Sequence, residues 1–162
     1  MSGEEMHKIK PTDKDALAAL KSDKYGSWSD PIKITWFHIL LYALLTRDFQ
    51  WIHVNPWKAR KGPFGRVVAH GGLVYAMLNR LSRRYLSADI DSTRVLDLSK
   101  DKVRSPNPVR LGERIHLRYR VVATYVKDSM AIVDYEVQIG IVGIENEKEE
   151  IALECRAKLS YM

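Results

Sequence analysis

Two side chains that lie close together in the sequence have the chemistry of an acid–base pair. Asp48 and His53 are five residues apart in the segment TRDFQWIH. On a continuous helix this spacing would turn them about 140° away from each other, so they converge only if the segment is irregular. A carboxylate and an imidazole that meet at one water molecule can move its protons, which accelerates a reaction roughly 10²- to 10⁴-fold. The spacing alone also allows that Asp48 caps a turn and that His53 packs in the core.

A pair of glycines precedes an apolar segment further along the chain. Gly71 and Gly72 stand directly before the run that starts at Leu73. Amides in the first turn of a helix have no backbone partner and carry partial positive charge, so they can polarise a carbonyl oxygen or stabilise an oxyanion. Glycine also allows a ligand to approach the backbone closely. The alternative is that the two glycines only let the helix enter the core beside the sheet.

Other kinds of site have little support in the sequence. The five histidines form no H-x-H, H-E-x-x-H or i, i+4 pair, so we expect no metal site. No P-loop, G-x-G-x-x-G or G-x-S-x-G motif is present, and nothing supports nucleotide hydrolysis. The single cysteine, Cys155, alternates with apolar neighbours and is expected to be a core thiol.

The composition is typical of one folded domain. The chain has 162 residues, a net charge of +6 and one cysteine, which excludes an internal disulfide and leads us to predict a cytoplasmic location. The polar residues 1–15 predict no signal peptide. The longest apolar run, Ile34 to Leu45, is shorter than the ~20 residues that span a bilayer. Interleaved acidic residues argue against nucleic-acid binding, although the positive charge suits an anionic small molecule.

The elements that must position these residues begin with helices. The segment DKDALAALK, residues 13–21, favours a short helix capped by Thr12 or Asp13. A longer helix is expected from Ile34 to Leu45, with Thr35 as its N-cap. This helix is apolar nearly all round, which predicts burial on more than one side, in a subunit interface rather than in a membrane.

The hydrophobic period changes between the middle and the end of the chain. Residues 47–65 lack periodicity, and a further helix is predicted from Leu73 to about Tyr85. Beyond it, apolar residues alternate with polar ones, as in strands with one buried face. The predicted strands cover residues 115–125, 133–141 and 151–161, with a weaker one at 94–98. Short polar links at 127–129 and 145–148 predict an antiparallel meander, and hence an α+β fold with a helix packed on the sheet.

Two motifs of this sequence resemble those of a known family. The segments TRDFQWIHVNP and GPFGRVVAHGGL, between residues 46 and 73, are similar to the hydratase motif of the MaoC-like, R-specific enoyl-CoA hydratases. The similarity is closest to the nodulation-protein-N-like branch, which also has a segment similar to DKVRSPNPVRLGERI at residues 101–115. The resemblance implies a single hot-dog domain over residues 28–162, an antiparallel sheet wrapped around a central helix. Residues 1–27 would form an N-terminal extension with a short helix.

The resemblance also implies which residues are catalytic. Asp48 and His53 match the family's catalytic Asp and His, which hold and activate the water that adds to C3 of the acyl chain. The amide of Gly71 matches the amide at the helix start, which polarises the thioester carbonyl. His70 matches the histidine of the A-H-G motif, and we interpret it as structural.

Three further residues are assigned to substrate binding by the same resemblance. Arg104 would either contact a phosphate of coenzyme A or support its loop by pairing with an acid. Gln50 keeps the amide of the family's Asn with a longer reach, and Gly72 replaces a larger apolar residue, which would widen or loosen the pocket. Arg47 replaces the glycine that usually precedes the catalytic Asp48, at a cost of about 1–2 kcal/mol if the position requires a positive φ.

The predicted reaction is the reversible hydration of a trans-2-enoyl thioester to the (R)-3-hydroxyacyl thioester, in fatty acid metabolism. The resemblance implies a homodimer that uses no cofactor and takes a coenzyme A or acyl-carrier-protein thioester as its substrate. Two alternatives stay open at this point. One is a hot-dog thioesterase, which would release free acid and thiol, and the other is a non-catalytic acyl-thioester-binding protein in which Arg47 has spoiled the loop.

Overall fold

The structure is a computed structural model that describes residues 8–85, 90–142 and 150–162. Within these residues the fold consists of five antiparallel strands and five helices. The helices are α1 (Lys14–Ala19), α2 (Trp36–Thr46), α3 (Trp51–Val54), α4 (Pro56–Lys61) and α5 (Gly71–Tyr85). The strands are β1 (Ile32–Lys33), β2 (Val95–Arg104), β3 (Arg114–Lys127), β4 (Met130–Val142) and β5 (Glu150–Tyr161), in the sheet order β1-β3-β4-β5-β2. The predicted α+β fold, with an antiparallel sheet around a helix, is confirmed.

The predicted meander is formed by β3, β4 and β5. Strands β3 and β4 are joined by Asp128 and Ser129, whose φ angles of 50° and 62° are those of the two-residue turn that matches the twist of paired strands. The weaker fourth strand is longer than predicted, because β2 continues to Arg104 and pairs with β5 along the sheet edge. The predicted link at 145–148 lies outside the described residues.

The core lies between α5 and one face of the sheet. Alternating apolar residues of β3, β4 and β5 are buried there, as the period-2 pattern predicts, whereas no residue of β2 is buried. Cys155 is among them, and burial raises the pKa of its thiol to about 11, as expected of a core thiol. The apolar stripe of α5 that faces the sheet consists of Leu73, Val74, Met77, Leu78 and Leu81.

The N-terminal extension packs against β3. Asp13, one of the two predicted caps, begins α1, because its side chain accepts a hydrogen bond of 3.0 Å from the amide of Ala16. Leu17 is buried in the same core as the sheet. Three amides of the following segment donate to main-chain oxygens of β3, namely Ser22 to Val121, Gly26 to Tyr119 and Ser29 to Leu117. The division of the chain at residue 28 stays a prediction.

Helix α2 begins later than predicted and is less buried. Thr35 is its N-cap, as expected, and the amide of Thr35 donates to Nδ1 of His38 at 3.1 Å. Because the helix packs on the rest of the chain along one side only, Leu44 and Leu45 remain 64% and 77% exposed. Within one chain the helix is thus buried on one side, and its predicted burial in a subunit interface stays a prediction. No helix among the described residues is long and apolar enough to cross a membrane.

The segment expected to be irregular contains two short helices, α3 and α4. Asn55 separates them, and its side chain accepts a hydrogen bond of 3.0 Å from the amide of Lys58. Pro56 stands at the first position of α4, where its missing N–H costs nothing. Each helix is too short to show a hydrophobic period, which explains why the sequence pattern missed them.

Candidate active site

Asp48 lies in the sharp turn that follows α2. The turn is made by Arg47, which ends the helix in the left-handed conformation with φ 57° and ψ 26°. Asp48 is half-buried, and its Oδ1 accepts a hydrogen bond of 3.3 Å from the amide of Gln50. The positive φ considered for Arg47 is therefore present, and it directs the chain back toward α3.

His53 is buried, and a hydrogen bond fixes its tautomer. Its Nδ1 donates to the main-chain oxygen of Val68 at 2.7 Å, which leaves Nε2 as the nitrogen with a lone pair. Burial lowers the pKa of His53 below its ordinary value of 6.5. The Val68 hydrogen bond and the Asp48 charge oppose this shift, while His70 adds to it. His53 is thus a neutral base at neutral pH.

His70 joins the turn of Asp48 to the start of α5. Its Nε2 donates to the main-chain oxygen of Asp48 at 3.0 Å, and its ring stacks on that of His53 with centroids 3.8 Å apart. The buried Nδ1 of His70 has no hydrogen-bond partner in the described part of the chain. Polar side-chain atoms of Asp48, His53 and His70 lie within 4.8 Å of one another. Contact with the turn fits the structural role that the sequence assigned to His70.

The same three side chains are of types that bind metal ions. Zinc would need their lone pairs to converge at about 2.0–2.2 Å from one point. The rings of His53 and His70 are stacked with centroids 3.8 Å apart and an interplanar angle of 25°, so their lone pairs lie in two nearly parallel planes. His53 also uses Nδ1 for Val68. This arrangement suits a hydrogen-bonded water better than a metal ion, and the absence of a metal site stays a prediction.

The first turn of α5 begins next to this cluster. The amides of Leu73 and Val74 both donate to the main-chain oxygen of His70. Those of Gly71 and Gly72 come before them, and among the described residues neither has a hydrogen-bond partner. A Cβ atom at Gly71 would meet nothing within 4 Å, so the helix start faces an open space. Accessible amides at the positive end of a helix dipole are suited to donate hydrogen bonds to a carbonyl oxygen.

Tyr42 occupies the space that the smaller residue at position 72 leaves. A Cβ atom at Gly72 would lie 2.0 Å from the hydroxyl oxygen of Tyr42 and 2.9 Å from Cζ. The expectation that Gly72 widens the pocket is therefore wrong, because the phenol fills the gap. Sequence reasoning missed Tyr42, since its position depends on how α2 crosses α5, and no local motif reports that crossing.

Of the remaining two predicted site residues, Gln50 contacts the cluster of Asp48, His53 and His70 through its main chain, since its amide donates to Asp48 and its main-chain oxygen accepts from the amide of His53. Gln50 is exposed and directly precedes α3. Arg104 ends β2 opposite Glu154 of β5 and lines an open cavity of about 280 Å³ with other charged side chains. Arg104 therefore has acidic residues nearby, and both of its predicted roles stay predictions.

Comparisons with known proteins find a matching family model and several relatives. A family model described as "MaoC like domain" matches residues 23–142. The 3-hydroxyacyl-thioester dehydratase Z of Mycobacterium tuberculosis is 39% identical over 99 residues, which are 61% of this chain and 64% of that protein. The match thus spans less than two thirds of that relative. Nodulation protein N of Rhizobium meliloti is 35% identical over 115 residues, 70% of this chain and 69% of that protein.

Solved structures support the fold. A monoamine oxidase regulatory protein from Archaeoglobus superposes with a TM-score of 0.71 and 22% identity, over 90% of this chain and 92% of that one. An (R)-hydratase from A. caviae involved in PHA biosynthesis superposes with a TM-score of 0.66 and 19% identity, over 85% of this chain and 96% of that one. At these identities the likeness shows the hot-dog fold alone.

Proposed function

Because the chain belongs to the MaoC-like domain family, in the nodulation-protein-N-like branch, we propose that it is an (R)-specific hydratase of enoyl thioesters. In the reverse direction it is a 3-hydroxyacyl-thioester dehydratase, the activity that the name of the Mycobacterium tuberculosis relative states. One observation carries the proposal. A carboxylate and a neutral imidazole with a fixed tautomer converge beside two amides that have no partner among the described residues, at an open helix start.

The proposed mechanism divides the work between the dyad and the helix start. Asp48 and His53 hold a water molecule, and its oxygen forms a bond to C3 of the enoyl chain while one of its protons passes to the dyad. The C2–C3 π electrons move toward C1, so negative charge develops on the thioester oxygen, where the Gly71 amide stabilises it. The dyad then returns a proton to C2, which completes the 3-hydroxyacyl thioester.

The left-handed conformation of Arg47 bears on the non-catalytic alternative. That alternative assumed that Arg47 disrupts the catalytic loop. In the structure Arg47 accepts a φ of 57°, and the polar atoms of Asp48 and His53 still lie within 4.8 Å of each other. This geometry supports a working dyad.

The charge of the sequence segment that contains His53 and Gly71 supports an anionic carrier for the acyl chain. No acidic residue occurs from position 49 to 88. The seven basic residues of this stretch are Lys58, Arg60, Lys61, Arg66, Arg80, Arg83 and Arg84. Such a region attracts the phosphates of coenzyme A or of an acyl-carrier protein. Gln50, Gly72 and Arg104 stay predictions as substrate-binding residues.

We also propose that the protein is a homodimer. The exposed apolar side of α2 contains Phe37, Leu44 and Leu45, and Trp57 of α4 is likewise exposed. Contiguous apolar surface of this kind is typical of an interface. Strand β2 is at one edge of the described sheet, so its outer main-chain groups pair with no other strand of that sheet and could pair with a second copy of the chain. The cytoplasmic location and the role in fatty acid metabolism stay predictions.

Two assays run side by side test the proposed reaction. With crotonyl-CoA as substrate, loss of the enoyl absorbance reports hydration, and a thiol reagent reports release of coenzyme A. We expect absorbance loss without thiol release. Thiol release without hydration would instead support a thioesterase, and neither signal with retained acyl-CoA binding would support a non-catalytic protein.

A further inference from the structure

Tyr42 lies at the open start of α5. It comes from the middle of α2, is half-buried, and its ring centroid is 5.0 Å from that of His70. The hydroxyl reaches the place where a side chain at position 72 would begin, 2.0 Å from an ideal Cβ of Gly72. The phenol therefore borders the same open turn as the two glycine amides.

Among the described residues, the hydroxyl of Tyr42 has no hydrogen-bond partner. A tyrosine hydroxyl in a half-buried position usually finds one. The neighbouring amides of Gly71 and Gly72 also lack partners among the described residues. Three hydrogen-bond donors thus border one opening. A ligand oxygen atom placed there could accept hydrogen bonds from more than one of them.

We propose that Tyr42 is a catalytic residue whose hydroxyl donates a hydrogen bond to the thioester oxygen, beside the amide of Gly71. The proposal rests on the hydratase function proposed above and adds a second donor to it. When the bond between water oxygen and C3 forms, the thioester oxygen gains negative charge, so a donor aimed at it binds the transition state more tightly than the substrate. Tyr42 keeps its proton throughout.

Gly72 is the residue that makes room for this hydroxyl. Any side chain at position 72 would collide with the Tyr42 phenol, because its Cβ would lie far inside contact distance of the hydroxyl oxygen and Cζ. Position 72 therefore acts on the substrate through Tyr42. We therefore expect that a larger residue at position 72 and removal of the Tyr42 hydroxyl lower kcat in the same way.

The test removes the hydroxyl and keeps the ring. Tyr42→Phe should lower kcat for crotonyl-CoA hydration about 10- to 100-fold with little change in KM or in thermal unfolding. Tyr125→Phe is the matched control, since Tyr125 is an exposed tyrosine of β3, and it should retain the wild-type rate. Gly72→Ala should lower kcat by a similar factor. The double variant should have a kcat no lower than either single variant, because both substitutions remove the same hydrogen bond.

A second readout does not depend on turnover. Acetoacetyl-CoA forms an enolate whose near-ultraviolet absorbance increases when donors stabilise its oxygen. Bound to the wild-type protein it should show this increase, and bound to Tyr42→Phe a markedly smaller one. A merely structural role for Tyr42 would change thermal unfolding and leave the enolate signal intact.

The outcomes separate the two proposals. A Tyr42→Phe variant with wild-type kcat and wild-type enolate signal would overturn the role of Tyr42 and leave the hydratase function standing. A wild-type protein that hydrates no enoyl thioester but shows a Tyr42-dependent enolate signal would retain Tyr42 as a donor and overturn hydration. Absence of both activities in the wild type would overturn both proposals.

Discussion

Single residues of the site are held by main-chain contacts that the sequence motif does not reveal. His53 is fixed by the main-chain oxygen of Val68, and His70 by that of Asp48. Asp48 and His53 were identified from residue type and family resemblance. The tautomer of His53 and the role of Tyr42 could not be predicted from the sequence, because they depend on groups that are distant in the chain.

The first residue-scale prediction concerns the titration of His53. Burial disfavours its charged form, so its pKa lies below 6.5 and the imidazole stays neutral until the pH falls below that value. The unfolded chain binds this proton more readily, so the stabilising contribution is complete above about pH 6.5 and is lost as the pH falls below it. NMR titration of the ring protons, assigned with His53 and His70 variants, measures the pKa. A midpoint above 6.5 would contradict the environment described, which includes Asp48 and His70.

The second prediction concerns the strained residue Arg47. Its left-handed conformation is disfavoured for a residue with a Cβ atom, so Arg47→Gly should raise the free energy of unfolding by about 1 kcal/mol. The matched control is Thr46→Gly, one residue earlier in α2, which should lower the free energy of unfolding by roughly 0.3 kcal/mol because glycine is the poorer helix former. Urea unfolding at one protein concentration measures both. Equal destabilisation by the two substitutions would show that position 47 is not strained.

At the scale of elements, α2, α3 and α5 meet to build the site. Alternating patterns predicted β3, β4 and β5, and the 3.6-residue period predicted α5, because long elements with one buried face leave a clear signal. The two-residue strand β1 and the one-turn helix α3 were missed, because elements of that length carry no period. How α2 crosses α5 was also beyond the sequence, since it depends on packing across the whole core.

The prediction at this scale tests the link between the Asp48 turn and α5. His70→Gln can place an amide nitrogen near the position of Nε2 and keep the hydrogen bond to the main-chain oxygen of Asp48, whereas His70→Ala removes it. We expect His70→Ala to lower kcat for crotonyl-CoA hydration about tenfold and His70→Gln to recover much of the loss. Circular dichroism of both variants checks the fold. Equal damage in the two would show that this hydrogen bond does not position the turn.

At the scale of the molecule, the single chain leaves apolar surface uncovered. The apolar run of α2 was predicted from the sequence to lie in an interface, and the structure exposes its outer side. The surface lies on the helix that leads directly into the Asp48 turn, so its association with a second copy would act on the element that positions Asp48. Homodimer formation is therefore expected to affect both stability and activity.

The oligomeric state can be measured by light scattering coupled to size exclusion. We expect twice the chain mass for the wild type, and a shift to one chain mass for the double variant Leu44→Glu and Leu45→Glu, which charges the exposed side of α2. Tyr125→Glu charges an exposed aromatic residue elsewhere and should remain dimeric. A wild type that stays monomeric at all concentrations would contradict the proposal.

The most direct test of the dyad uses near-isosteric variants with one substrate. Asp48→Asn and His53→Gln keep the size of each side chain and remove its acid–base function. With trans-2-enoyl-CoA, the loss of enoyl absorbance should slow at least about 10²-fold in each variant while the fold and substrate binding persist. Hydration at the wild-type rate in either variant would contradict the account of this site.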